Sequence, residues 1–213
     1  MGLGHVIRTA TLGPLVFLQG RWVRRRTPLL PEPPGPRSGV GGVGEPLRLL
    51  VVGDSAAAGV GAPDLESALL GQLLQRLTPR FEVHWELRAR TGATTRDVLG
   101  WLRSDPPGPQ DAIVTSLGVN DVTSMRTLPT FRREQDELRR LLADSASGLL
   151  IVSGLPPVHA FPALPQPLRW YLGSRAREFS ARLGADVAGA EHCDFLPIDF
   201  GGTMDMMASD GYH

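Results

Sequence analysis

The chain has 213 residues, of which 42% are hydrophobic and 21% are charged, and its 22 basic residues balance its 22 acidic residues. This composition is typical of an ordinary globular protein with one sizeable core, and the length favours one domain with short appendages. Because the charges cancel, no global field attracts nucleic acid or an anionic surface. The single cysteine, Cys193, excludes an internal disulfide and a cysteine-based zinc site.

The first 26 residues are a basic and apolar N-terminal segment, with five arginines and no acidic residue, so the rest of the chain is net negative by five. The apolar run over residues 10–18 is interrupted by Gly13 and Pro14 and is shorter than the roughly 20 residues of a membrane-spanning helix. Most of the segment's arginines follow the apolar run, whereas a secretory signal peptide carries its positive charge before the apolar run. Residues 10–26 therefore have two interpretations, a weak peripheral membrane contact or a short helix that packs on the domain. Cytoplasmic or membrane-peripheral localisation is favoured over secretion.

Residues 27–46 are predicted to be a linker, because six prolines and five glycines lie between Pro28 and Pro46. Proline lacks a backbone N–H and glycine is flexible, so this composition disfavours a helix or a central strand. We therefore place the folded domain at residues 47–213. Because linker boundaries tolerate cutting, we expect activity to survive removal of the first 46 residues.

From Leu47 onwards the hydrophobic pattern alternates between strands and helices. Helical spacing covers residues 65–77, 94–102, 130–142 and 168–183, and strand patterns cover residues 47–53, 81–87, 111–117, 148–154 and 193–198. Five strands that alternate with helices predict an α/β fold with a doubly wound, five-stranded parallel sheet, a flavodoxin-like three-layer sandwich.

The first candidate site lies where the apolar run from Leu47 to Val52 ends at Gly53-Asp54-Ser55. This pattern predicts a buried strand that delivers a serine onto a tight turn before a helix. Open α/β sheets bind ligands at the carboxyl ends of their strands, so Ser55 is placed to act as a nucleophile. A surface serine in an ordinary strand-to-helix turn is the alternative.

Two further strands end in the same manner. The strand over 111–117 is followed by Gly118-Val119-Asn120-Asp121, and an amide such as Asn120 can donate a hydrogen bond to a developing oxyanion. The strand over 81–87 is followed by Arg90-Thr91-Gly92, and a glycine there can bring its backbone N–H close to a substrate. Asn-Asp is also common turn chemistry, so neither segment is decisive alone.

The segment over residues 155–172 is rich in proline and aromatic residues and follows the fourth strand at the same edge. We interpret it as the wall of a substrate pocket, with Phe161, Trp170 and Tyr171 as candidate pocket residues. A packed surface loop is the alternative.

The last four residues are Asp210-Gly211-Tyr212-His213. An Asp three residues before a His can accept the imidazole Nδ1–H, which leaves Nε2 free to take the proton of a serine hydroxyl. The chain order of such a triad is then Ser55, Asp210, His213.

Together these four blocks resemble the SGNH hydrolases, the GDSL-type esterase and lipase family, over residues 47–213. The family name stands for four residues, which are here Ser55, Gly92, Asn120 and His213. The first block departs from the usual family pattern at Ala56, where a leucine is common, and this difference bears on subfamily rather than on activity.

The resemblance implies a role for each matched residue. Ser55 is the nucleophile, His213 the general base and Asp210 the residue that orients it. The backbone N–H groups of Ser55 and Gly92 and the side chain of Asn120 form the oxyanion hole.

The resemblance also implies an ester hydrolase that cleaves carboxylic esters, on small-molecule or lipid-like substrates, through an acyl-serine and without metal or cofactor. Sugar O-deacetylation and cleavage of thioesters or lysophospholipids are alternatives, and a catalytically silent binding domain of the same fold is the non-enzyme alternative. A nucleotide site at residues 53–61 is disfavoured because the P-loop lysine is missing, and no nucleic-acid partner is expected. Family members continue past the catalytic His into a closing helix, so we expect a sequence truncated after His213.

Overall fold

The computed structural model describes residues 3–199 and 207–212. Its strands are β1 (Ser38–Gly41), β2 (Glu45–Gly53), β3 (Phe81–Ala89), β4 (Gln110–Ser116), β5 (Ala146–Ser153) and β6 (Cys193–Leu196). Its helices are α1 (Leu3–Arg26), α2 (Ser55–Ala58), α3 (Leu69–Leu77), α4 (Thr95–Ser104), α5 (Val119–Thr123), α6 (Leu128–Ala143) and α7 (Leu168–Val187), with a 3₁₀ turn at Val158–Ala160.

The strands form one sheet in the order β1-β3-β2-β4-β5-β6. Strands β2 to β6 pair in parallel, which confirms the predicted five-stranded, doubly wound sheet. Parallel strands need crossover connections, and helices supply them here. The carboxyl ends of β2, β3 and β4 therefore meet at one edge of the sheet.

A sixth strand, β1, lies within the residues predicted to be a linker and pairs antiparallel with β3. The linker prediction is wrong for Ser38–Gly41, because an edge strand needs hydrogen bonds on one side only and tolerates glycine. Gly39 also has a packing reason, since a Cβ there would lie 2.8 Å from the Trp85 ring.

Strand β2 is buried on both faces from Leu49 to Gly53, as a central parallel strand should be. Leu50 and Val52 face the larger core, which includes side chains of α4, α6 and α7. Leu49 and Val51 face the smaller core, which includes side chains of α2 and α3. Helices therefore cover the sheet on both sides, which gives three layers.

Helix α1 is long and packs on the domain. Val16 and Val23 are seven residues apart, lie on one helix face and are buried in the larger core. The Gln19 side chain donates to the Gln166 carbonyl (2.8 Å) and accepts from the Leu168 N–H (3.0 Å). This packing argues against the expectation that activity survives removal of the first 46 residues, which stays a prediction.

The packing interpretation of the N-terminal segment thus holds for one face of α1. Within residues 3–199 and 207–212, no helix combines the length and the apolar character that crossing a membrane requires.

Candidate active site

Ser55 begins α2, directly after β2 ends at Gly53. The Asp54 side chain caps this helix by accepting the Ala56 N–H at 3.1 Å. A Cβ at Gly53 would lie 2.0 Å from the Ser116 carbonyl oxygen, so only glycine lets β2 approach β4 this closely. The sequence thus places a half-buried serine at the carboxyl edge of the sheet.

Gly92 and Asn120 follow the two strands that flank β2. Gly92 has a φ of +80°, which side-chain-bearing residues rarely adopt, and a Cβ there would meet no heavy atom within 4 Å. The Asn120 Nδ2 donates to the Ala93 carbonyl at 3.0 Å and lies 3.4 Å from an Asp54 oxygen. Because the amide nitrogen carries two hydrogens, the contact with Ala93 leaves one for Asp54 or for a ligand.

The C-terminal residues 207–212 return to the same edge. Asp210 is buried and accepts the Tyr212 N–H at 2.9 Å, while the Gly211 carbonyl accepts from Ala163 at 3.2 Å. The Tyr212 ring packs edge-on against Phe161, with centroids 5.3 Å apart. His213 lies outside the described residues, so its predicted role as general base stays a prediction.

A cavity of about 880 Å³ opens at Ser55. Gly92, Asn120 and Tyr212 also line it, so the cavity brings together the predicted site residues Ser55, Gly92 and Asn120. Most other lining residues are apolar, and they include Val16, Phe17, Val119, Leu164, Leu168 and Leu172.

The prediction of pocket residues needs correction. Tyr171 lines the cavity, as predicted. Phe161 is instead buried behind Tyr212, and Trp170 is 40% exposed; neither is among the described residues that line the cavity. The helical period explains the difference, because Leu168, Tyr171 and Leu172 share one face of α7 and Trp170 points the other way.

Sequence reasoning missed the contribution of α1 to the cavity. Gly13, Val16, Gly20 and Val23 line the cavity from α1. Their spacing of three or four residues was a readable helical signal, but it was hidden by Pro14 and by consecutive apolar residues.

Sequence reasoning also missed Glu32. Its carboxylate accepts the Thr91 N–H and hydroxyl, both at 2.7 Å, and forms an ion pair with Arg37. Burial opposes its ionisation, but the hydrogen bonds from Thr91 and Arg37 outweigh burial and lower the pKa of Glu32. Since Thr91 precedes Gly92, Glu32 anchors the loop that carries the predicted oxyanion donor.

Two buried carboxyl groups lie beneath the site. Burial raises the pKa of Asp54 to about 7 and the pKa of Asp121 to about 6. Asp121 accepts hydrogen bonds from the Thr95 N–H (3.1 Å) and hydroxyl (2.9 Å), which only partly offset its burial. Gln135 in turn donates to the Thr95 hydroxyl oxygen at 2.8 Å.

These shifts predict how stability depends on pH. Because the pKa of Asp121 rises from 3.8 to about 6 on folding, the folded state binds more protons between these values. Its contribution to the free energy of unfolding therefore falls as the pH rises, by up to about 1.4 kcal/mol per pH unit. We expect Asp121→Asn to gain stability relative to the wild type from pH 4 to pH 6, measured by urea unfolding.

The Ser145→Ala variant, which removes no ionisable group, is the control and should follow the wild-type pH profile. Parallel profiles for Asp121→Asn and the wild type would contradict the burial argument.

Comparison with known proteins places this fold. The sequence profile of the GDSL-like Lipase/Acylhydrolase family matches residues 51–213. None of the curated protein sequences matches the chain.

Three solved structures with similar folds are below 25% identical to the chain. A lipolytic protein of the G-D-S-L family from Veillonella parvula has a TM-score of 0.54 at 16% identity, covering 72% of this chain and 77% of its own. A lipase/acylhydrolase from Enterococcus faecalis has a TM-score of 0.51 at 23% identity, covering 78% and 86%. An acetylxylan esterase from Geobacillus stearothermophilus, solved as a catalytic mutant, has a TM-score of 0.50 at 18% identity, covering 78% and 83%.

The family match covers most of the chain and begins within the strand that delivers Ser55. The fold around the cavity is the one these lipolytic and esterase structures share. The chain therefore belongs to the GDSL-like lipase/acylhydrolase family of ester hydrolases.

Proposed function

We propose that this ester hydrolase cleaves carboxylic esters through a covalent acyl-serine formed on Ser55. The observation that carries the proposal is that Ser55, Gly92 and Asn120 line a single cavity. A nucleophile and two oxyanion donors must face the same carbonyl group for acyl transfer, and they come here from three different strand ends.

In this mechanism the Ser55 Oγ attacks the ester carbonyl carbon while His213 accepts its proton. The carbonyl oxygen becomes an oxyanion that accepts from the backbone N–H groups of Ser55 and Gly92 and from Asn120. The C–O bond to the alcohol then breaks, and His213 returns the proton to the leaving alcohol. Water attacks the acyl-serine by the same route, which releases the acid and restores Ser55. Asp210 orients His213 throughout.

The cavity supports a medium or long acyl chain. Its volume of about 880 Å³ lies near the upper end of the range for small-molecule sites, roughly 300 to 1,000 Å³, and far exceeds an acetyl group. Many of the lining side chains, such as Leu164, Leu168 and Leu172, are apolar and suit hydrocarbon. We therefore rank lipid-like esters, including lysophospholipids and thioesters, above acetylated sugars.

Chain-length preference tests this ranking. Each buried methylene contributes about 0.8 kcal/mol, roughly fourfold, so kcat/KM for p-nitrophenyl esters should rise from acetate towards decanoate. Gly20 faces the cavity, and a Cβ there meets no heavy atom within 4 Å. Gly20→Leu should place a side chain in the cavity and lower the decanoate-to-acetate ratio of kcat/KM about 10-fold or more.

Gly100→Leu is a matched control, because Gly100 is also helical, is exposed on α4 and has equally open surroundings. Leucine favours helix over glycine at both sites, so loss of the fold is not expected. An unaltered ratio in Gly20→Leu, or a wild-type preference for acetate, would move the proposal to the sugar O-deacetylase.

A further inference from the structure

The outward face of α1 carries a stripe of exposed apolar residues. We call Leu15, Leu18 and Trp22 the outer stripe; they are spaced by three and four residues, so they share one side of the helix. Leu18 is 63% exposed, and Leu15 and Trp22 are each 48% exposed. This side differs from the face that Val16 and Val23 bury in the core. One face of α1 therefore packs on the domain, and another face exposes apolar side chains to solvent.

The mouth of the active-site cavity also carries exposed apolar residues. We call Phe17, Leu29 and Met125 the rim; all three line the cavity and are also exposed, Leu29 to 95% and Phe17 to 65%. Phe17 faces a different side of α1 from Leu18, and the exposed Arg21 and Arg25, which follow Phe17 at four-residue spacing, lie between the rim and the outer stripe. Exposed apolar surface of this extent marks a binding site for a partner, a ligand or a membrane.

The charge around this surface selects an anionic partner. Arg21, Arg25 and Arg26 are exposed on the same helix, and α1 contains no acidic residue. The remainder of the chain carries a net charge of −5, so α1 is a basic element of an otherwise net acidic chain. An anionic surface is therefore attracted to α1 and not to the net charge of the remainder.

The arginines also lie against aromatic rings. The Arg26 guanidinium lies 5.0 Å from the centroid of the Trp22 ring, and that of Arg21 lies 6.0 Å from the Phe17 ring. Aromatic rings with adjacent cations suit the boundary between lipid headgroups and acyl chains, where the ring meets hydrocarbon and the cation meets phosphate. This combination favours a lipid surface over a protein partner.

We propose that the outer stripe and the rim seat the protein on an anionic lipid bilayer, with the cavity mouth against the lipid. The polar contacts of Gln19 hold α1 on the domain, so the helix lies along the interface while attached to the enzyme. An acyl chain then enters the cavity from the membrane without crossing water. This last step rests on the proposed esterase function, whereas seating on the membrane does not.

Flotation with vesicles tests the seating on the whole chain carrying Ser55→Ala, so that hydrolysis does not alter the lipid. The protein should float with 3:1 phosphatidylcholine:phosphatidylglycerol vesicles, less so at higher salt, and only weakly with pure phosphatidylcholine. Leu18→Glu combined with Trp22→Glu should abolish flotation. Arg25→Glu combined with Arg26→Glu leaves every apolar side chain of the surface in place and should weaken binding roughly 30-fold or more, since each arginine contributes about 1 kcal/mol, which is about fivefold.

The controls carry equivalent changes elsewhere. Val43→Glu replaces an apolar residue that is 74% exposed outside α1, and Arg133→Glu with Arg177→Glu makes the same change of net charge on exposed positions of α6 and α7. Both control variants should float nearly as well as the Ser55→Ala protein from which they are made. Absence of flotation with anionic vesicles, or equal losses in test and control variants, overturns the proposal. If the protein does not float but light scattering shows dimers, and Leu18→Glu combined with Trp22→Glu dissociates them, the surface would be assigned to a second copy of the chain instead.

Measurements of ester hydrolysis distinguish the membrane-seating proposal from the esterase proposal. With Ser55 intact, the stripe and arginine variants should hydrolyse p-nitrophenyl acetate in solution at the parental rate, because none of the changed residues lines the cavity in the described chain. Their hydrolysis of a long-chain ester in anionic vesicles should fall in parallel with binding. Flotation without any ester turnover would sustain the seating and refute the esterase proposal alone.

Discussion

Ser55→Ala should lower kcat for p-nitrophenyl esters by about 10⁴-fold or more and should abolish labelling by a fluorophosphonate. Attack on the carbonyl carbon needs the hydroxyl itself, and an oxyanion hole without a nucleophile retains only a small part of the rate enhancement. Mass spectrometry of the wild type during turnover should also show the acyl group on the peptide that contains Ser55. Alanine at position 55 should preserve the fold, because the same short helix already contains the buried residues Ala57 and Ala58.

Ser145→Ala is the control for this experiment. Ser145 precedes β5, at the amino end of the parallel strands and thus at the opposite edge of the sheet. It should keep full activity and labelling. Fluorophosphonate labelling that persists in Ser55→Ala would place the nucleophile elsewhere and refute the assignment.

Asn120→Ala should lower kcat by roughly 10² to 10³ and change KM much less. The amide interacts most strongly with the oxyanion of the transition state, so its loss affects the chemical step more than substrate binding. Asn120 also donates to the Ala93 carbonyl, which links it to the loop that carries Gly92. We therefore expect a small loss of melting temperature as well, to be measured on the same samples.

Gln135→Ala is the matched control, because it also removes a side-chain amide, here a buried one that donates to Thr95 and does not line the cavity. It should lower the melting temperature but leave kcat within about threefold. An effect of Asn120→Ala that is confined to KM would make Asn120 a residue that positions the substrate.

The sequence alone determined the five parallel strands of the sheet and the strand ends that carry the candidate site residues. Runs such as Leu49 to Val52 are buried on both faces, so their hydrophobic pattern is continuous and local. A parallel arrangement brings the ends of β2, β3 and β4 to one edge whatever the details of packing. Ser55, Gly92 and Asn120 could therefore be assigned to one site without knowledge of any long-range contact.

The position of the C-terminal residues 207–212 was only partly predictable from the sequence. A short separation along the chain brings Asp210 near Tyr212, and the structure shows that hydrogen bond. That the segment returns to the cavity depends on the Gly211 contact with Ala163 and on the Tyr212 contact with Phe161, both of which are long-range.

Only the tertiary structure decided which faces meet. Helix α1 has apolar residues on several sides, because Val16 packs in the core, Phe17 lines the cavity rim and Leu18 faces outwards. Because three consecutive apolar residues of α1 face three different environments, its sequence has no single hydrophobic period from which the packing of the helix could be predicted. The same reason separates Tyr171 in the cavity from Trp170 outside it. Local pattern determines where a strand ends and what it carries there, whereas the partner of a helix face is chosen by distant parts of the chain.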